Sequence, residues 1–314
     1  MSSISSALVR PFLRFSVKLL FRPSVSINTQ RFALDAASKL PLPKSVTKQN
    51  IKIDDLTCEW IEDESQPTKG VILYLHGGGY NIGSCASHRL FAATLSRACA
   101  TPILLVDYRL APEHKFPTPI DDAIVAYEWL LEEGYSSEEI IIAGDSAGGG
   151  LALATSMVLR DEDYALPSGC ICLSPWADLL QTGDSMSSRA KQDPMLSKTI
   201  LQRWADNYIN VDDNPTNPLI SPIYGDFEAL PPLFIQVGND EVLLSDAQRI
   251  ADTARAAGVP TEFEIWPNMW HDWQMLAMIL PEAKEAINKM AVFVNTQLHS
   301  NIKQRSNSPL EQQK

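Results

Sequence analysis

Gly144-Asp145-Ser146-Ala147-Gly148 sets one serine inside a Gly-x-Ser-x-Gly pattern, with Ile140-Ile141-Ile142 just before it and Leu151-Ala152-Leu153-Ala154 just after. The order is strand, tight turn, helix, which is the layout of a nucleophile elbow. Glycines flank the serine because the backbone there packs closely and takes dihedrals that side chains resist. The helix that follows aims its first N–H groups at developing negative charge. Serine is a weak nucleophile near neutral pH. It needs a base to take its proton, and the base needs a third group to fix its tautomer. A phosphate loop or a plain glycine turn shares the five-residue pattern, so the partners must decide.

Five histidines are available, at 76, 88, 114, 271 and 299. His271 follows the last strand-like run, Glu262–Trp266, and so falls at the carboxyl edge of the sheet where loops can meet the elbow. His88 and His114 precede the elbow in helical or loop contexts and read as solvated or hydrogen-bonded. Asp240 and Glu241 directly follow the run Leu233–Val237. The order serine, acid, histidine suits either of them as the third member. His76-Gly77-Gly78-Gly79 leaves another strand end with three residues free of side chains. The N–H groups of Gly78 and Gly79, with that of Ala147, form a candidate oxyanion hole. Tyr80, Trp176, Trp204 and Tyr208 are candidate pocket walls.

These residues need a scaffold. Val71–Leu75, Ile103–Val106, Ile140–Ala143, Ile171–Leu173 and Leu233–Val237 are continuous apolar runs, as in strands buried on both faces. Helical patterns at 87–99, 120–133, 247–257 and 281–298 alternate with them. The expected fold is α/β, a mostly parallel sheet covered on both faces. Residues 51–62 read as an edge hairpin. The stretch 178–226 is longer than one crossover needs and reads as an insertion beside the site. Residues 299–314 read as a polar tail. No internal repeat is visible.

Near the start, Arg10, Arg14, Lys18 and Arg22 lie four apart on a helix whose other face is Leu, Phe and Val. This helix is expected to cover an apolar pocket on the main domain, with membrane-surface contact as the second reading. A second helix is expected over 27–40, stopped by Pro41 and Pro43. No stretch here is apolar enough for long enough to span a bilayer. The net charge of −12 over 314 residues argues against a nucleic-acid partner. Five cysteines without framework spacing suit a reducing, cytoplasmic setting. Cys170 and Cys172 read as buried thiols rather than a metal site.

Taken together, these motifs resemble the hormone-sensitive-lipase group of α/β-hydrolases. The likeness rests on His76-Gly77-Gly78-Gly79-Tyr80, Tyr108-Arg109-Leu110-Ala111-Pro112-Glu113, Phe116-Pro117, Gly144-Asp145-Ser146-Ala147-Gly148-Gly149, Ser174-Pro175-Trp176, Asp193-Pro194-Met195 and His271. It looks closest to bacterial esterases and monoterpene ε-lactone hydrolases. The resemblance implies an α/β-hydrolase catalytic domain over 46–300, capped by residues 1–45 and the 178–226 insertion. It implies carboxylic-ester substrates, an acyl-enzyme on Ser146, no cofactor and no metal. A homodimer is carried as a further partner expectation. The family acid usually stands in Asp-Pro-Leu. Counted back from His271, its position falls on Glu241, with Leu243 matching the leucine and Asp240 as the alternative. Gibberellin-receptor-like proteins resemble the same family but lack the histidine. His271 therefore favours an enzyme over a non-catalytic receptor.

Overall fold

A computed structural model describes residues 3–37, 41–66 and 70–306. Eight strands form one sheet: β1 (Val46–Ile53), β2 (Leu56–Asp63), β3 (Val71–Leu75), β4 (Ile103–Asp107), β5 (Ile140–Asp145), β6 (Gly169–Leu173), β7 (Leu233–Gly238) and β8 (Thr261–Trp266). Their order is β1-β2-β4-β3-β5-β6-β7-β8, and the six strands from β4 to β8 are parallel. The expected edge hairpin is β1–β2, which pairs antiparallel and joins the sheet antiparallel to β4.

The helices are α1 (Ile4–Phe15), α2 (Val17–Leu20), α3 (Ile27–Ala37), α4 (Cys85–Cys99), α5 (Thr118–Glu132), α6 (Ala147–Asp161), α7 (Ser185–Ser188), α8 (Lys198–Tyr208), α9 (Leu244–Ala256) and α10 (Pro281–Ser306). Strand side chains alternate between faces, and β3 shows the result. Val71, Leu73 and Leu75 join the core shared with α5, α6 and α9. Ile72 and Tyr74 join the core shared with α4 and α10. Every residue of β3, β5, β6 and β7 is buried. The apolar runs in the sequence are therefore strands covered on both sides.

Two boundaries differ from expectation. The last helix continues to Ser306 rather than ending at 298. Lys303, Gln304 and Arg305 are good helix formers, so polar composition there does not mark a helix end. The rest of the expected tail, 307–314, lies outside the described residues, as do 38–40 of the second expected helix. The N-terminal helix also carries two apolar faces rather than one. Leu13 and Phe21 are buried against the domain, whereas Leu8, Phe12, Phe15 and Leu19 face solvent. The basic residues run between those faces. Arg10 reaches Asp240 at 2.6 Å, Arg14 donates to the Lys191 carbonyl and Lys18 to the Asp193 carbonyl.

Candidate active site

β5 ends at Asp145, and Ser146 makes the turn into α6 with φ 53° and ψ −120°. A non-glycine residue in that region carries strain of about 1–3 kcal/mol, held in place only by its surroundings. Those surroundings are explicit. Ser146 N–H donates to the Leu173 carbonyl, and its own carbonyl accepts from Trp176, Gly149 and Gly150. A Cβ at Gly144 would collide with the Gly148 backbone, and one at Gly148 would collide with the Leu75 carbonyl. The two motif glycines are there because backbone passes where a side chain would stand.

His271, on the loop after β8, sets Nε2 3.0 Å from Ser146 Oγ. Its Nδ1 lies 2.8 Å from Glu241 Oε2. The other oxygen of Glu241 accepts from the Gly238 N–H at 2.5 Å and the Ser174 hydroxyl at 2.8 Å. This carboxylate is wholly buried and held by donors on three sides. Asp240, one residue earlier, points away from the imidazole. It accepts from Arg10 of α1, whose Nη2 also reaches the Asn268 carbonyl. The structure thus brings Ser146, His271 and Glu241 together and uses Asp240 to tie the N-terminal helix to the loops bearing Glu241 and His271.

The His76–Gly79 loop lies beside the serine. Gly78 has φ +124° and faces the Ile82 carbonyl so closely that no Cβ fits. The N–H groups of Gly78 and Gly79 find no acceptor among the described residues. Ala147 opens α6, where the first amides lack helical partners. Asp145 anchors the loop: its Oδ1 accepts from Tyr74 OH at 2.8 Å and from Gly77 N–H at 3.0 Å. Tyr108 OH donates to the His76 carbonyl at 2.6 Å, and its ring stacks on the His76 imidazole. Burial pushes His76 down to about 3. It is a neutral prop whose Nδ1–H donates to the Gly77 carbonyl.

The serine and histidine open into a cavity of about 260 Å³. Leu13, Val17, Phe21 and Leu34 wall it from the N-terminal helices, and Met195, Leu196 and Trp204 from the 178–226 stretch. Of the four aromatic residues expected to line a pocket, only Trp204 does. Tyr80, Trp176 and Tyr208 are buried off the cavity, with Tyr80 stacked on Tyr208 at 4.0 Å between ring centroids. Their rings pack on one another in the core, so they lie behind the wall instead of forming it. His114 is exposed on the surface.

This geometry can be set beside known proteins. The family model for the alpha/beta hydrolase fold matches residues 72–275, a span that holds Ser146, Glu241 and His271. The chain belongs to that family. An acetyl-hydrolase of Streptomyces hygroscopicus is 41% identical over 253 residues, covering 81% of this α/β-hydrolase and 84% of the relative. An esterase of Acinetobacter venetianus is 34% identical over 285 residues, covering 90% and 94%. A crystal structure of an esterase from the bacterial hormone-sensitive lipase (HSL) family matches with TM-score 0.90 at 38% identity, over 95% of this chain and 99% of that one. The resemblance read from the motifs is borne out. This α/β-hydrolase is a carboxylic-ester hydrolase of the hormone-sensitive-lipase group.

Several residues of the hydrolase site were not singled out from sequence. Ser174 holds the buried acid, and Asp193 accepts from Met195, Leu196 and Val242 N–H groups, joining the cavity wall to the Glu241 loop. Both stand in motifs that carried the resemblance, which was the available signal. His88 lines the cavity, with Nε2 3.3 Å from Asp145 Oδ2. Asp272 puts Oδ2 3.0 Å from the same His271 nitrogen that faces the serine, while its Oδ1 has no partner among the described residues. Burial alone lowers the His271 pKa. The Asp272 and Glu241 carboxylates outweigh it and hold the imidazole well above its ordinary value. Asp272 itself is pushed up to about 7, first by burial, against the pull of His271.

Proposed function

We propose that this chain is a serine carboxylesterase for short- to medium-chain esters that works through an acyl-enzyme. The observation that carries the reading is the unbroken relay from Ser146 through His271 to buried Glu241, opening into an apolar cavity. Ser146 Oγ attacks the acyl carbon while His271 Nε2 takes its proton. Glu241 holds the tautomer and stabilises the imidazolium. The N–H groups of Gly78, Gly79 and Ala147 receive the oxyanion. His271 then protonates the departing alcohol. A water that gives its proton to His271 attacks the acyl-serine, and collapse returns the serine and releases the acid. A lactone follows the same steps with its alcohol tethered, giving a hydroxy acid.

Residues 1–45 and 178–226 act as the cap in this reading, because both supply cavity walls. The catalytic domain is 46–300, and α10 carries the chain on to Ser306. The cavity of about 260 Å³ lies just under the roughly 300 Å³ at which drug-sized sites begin, which supports a short acyl chain. Five buried free thiols suit a cytoplasmic setting. No described helix is long and apolar enough to cross a membrane.

The test is a p-nitrophenyl ester series from acetate to palmitate, run beside ε-caprolactone. The expected kcat/KM maximum lies between acetate and hexanoate. Turnover of long chains alone would overturn the chain-length reading, and faster ε-caprolactone opening would make the lactone the main substrate. A folded protein that cleaves none of them would return the receptor reading.

A further inference from the structure

The outer face of the N-terminal helices has no partner in the fold. At 3.6 residues per turn, Leu8, Phe12, Phe15 and Leu19 fall within an arc of about 60°. Phe12 is 67% and Phe15 74% exposed, in a segment whose opposite face walls the catalytic cavity. Isolated exposed apolar residues are ordinary, but an aligned stripe of two phenylalanines and two leucines marks an interaction surface.

The charge around the stripe selects the partner. The first 34 residues hold Arg10, Arg14, Lys18, Arg22 and Arg31 and no acid, in a chain of net charge −12. Arg10 is paired with Asp240, and Arg31 with Glu113. Arg14 and Lys18 donate to backbone carbonyls of residues 191–193 and make no direct salt bridge among the described residues, although Lys18 also feels the Asp193 carboxylate. Arg22 is exposed at the end of the same row. On the helix these three cations flank the apolar stripe on one side. A second copy packed antiparallel across a two-fold axis would set this basic row against itself, which repels, and in neither two-fold arrangement does the partner bring an acidic row to meet it. An anionic bilayer offers what both halves of the surface need, an acyl layer for the phenylalanines and phosphates for the cations.

We propose that Leu8, Phe12, Phe15 and Leu19, with Arg14, Lys18 and Arg22, form a docking surface for an anionic lipid bilayer. Docking there brings the helices that wall the cavity onto the membrane. Apolar esters dissolved in the bilayer are then concentrated next to the site.

The probe is co-sedimentation of the full chain with vesicles of phosphatidylcholine and phosphatidylglycerol in equal parts, and with phosphatidylcholine alone. The mixed vesicles are expected to bind the protein, added salt to weaken that binding, and phosphatidylcholine alone to bind it far less. Phe12→Glu/Phe15→Glu should weaken partition by about tenfold or more. Its circular dichroism should be unchanged, since both side chains face solvent. Leu19→Glu, on the same stripe, should weaken partition in the same direction and serves if the double variant misfolds. No binding by the wild type, or equal binding by the folded variants, overturns the proposal. So does a wild-type dimer that the double variant splits to monomers, since the stripe would then belong to a second copy. None of these measurements uses esterase activity, so they stand apart from the outcome of the ester series.

Discussion

Glu241→Ala is expected to lower kcat/KM on p-nitrophenyl butyrate by about 10³–10⁴-fold, whereas Asp240→Ala stays within about tenfold of the wild type. The two carboxylates are neighbours in the chain and opposites in surroundings. Glu241 is wholly buried, 2.8 Å from His271 Nδ1, and fixed by Gly238 and Ser174. Without it the imidazole loses the group that orients it and the charge that balances the imidazolium. Asp240 is bound to Arg10, outside the relay. Its loss loosens the docking of α1, which walls the cavity, so its effect should fall mainly on KM. Glu241→Gln keeps the shape without the charge, and should recover only a minor part of the lost rate. The comparison requires both rates at one pH on the alkaline plateau. The reverse ranking, with Asp240→Ala the more damaging, would return Asp240 as the supporting acid.

That the acid could be narrowed to two adjacent residues shows what a sequence can specify. The inner strands of the parallel sheet are largely apolar on both faces, so their ends are easy to find, and residues just past a strand end must lie at the carboxyl edge. Ser146, the Gly77–Gly79 loop, the Asp240–Glu241 pair and His271 are all such residues. Which of two neighbours turns inward depends on backbone direction in a short loop. Here that direction is set by Asp193 accepting the Val242 N–H and by the Asp240 N–H bonding the Met269 carbonyl. Neither contact has a local signature. The cavity walls were less legible for a related reason. Aromatic residues such as Tyr80, Trp176 and Tyr208 are bound to be buried, but burial does not say against what. The N-terminal helix misled by its simplicity, since a basic row four apart suggests one polar face and one apolar face. In the structure the row divides two apolar faces, only one of which is covered.

Asp272→Asn is expected to move the acid limb of the kcat/KM–pH profile to lower pH. Catalysis requires neutral His271, and its proton-accepting Nε2 lies 3.0 Å from both Ser146 Oγ and Asp272 Oδ2. An ionised Asp272 favours the imidazolium, so the resting base stays protonated to a higher pH than Glu241 alone would dictate. The other groups facing the pair are His88 from α4, Asp145 at the end of β5, and Asp193. All three remain in the variant. Removing one negative charge lowers the His271 pKa, so activity persists to lower pH. The same charge helps stabilise the imidazolium as the serine attacks, so the alkaline plateau should fall a few-fold. The two profiles therefore cross, with the variant ahead in acid and behind in base. Asparagine tolerates the left-handed backbone of this position, where φ is 52°, so the loop can keep its shape. General damage to the site would lower the whole curve without moving its limb. An unmoved limb, with the protein folded, would mean that Asp272 does not control the protonation of His271.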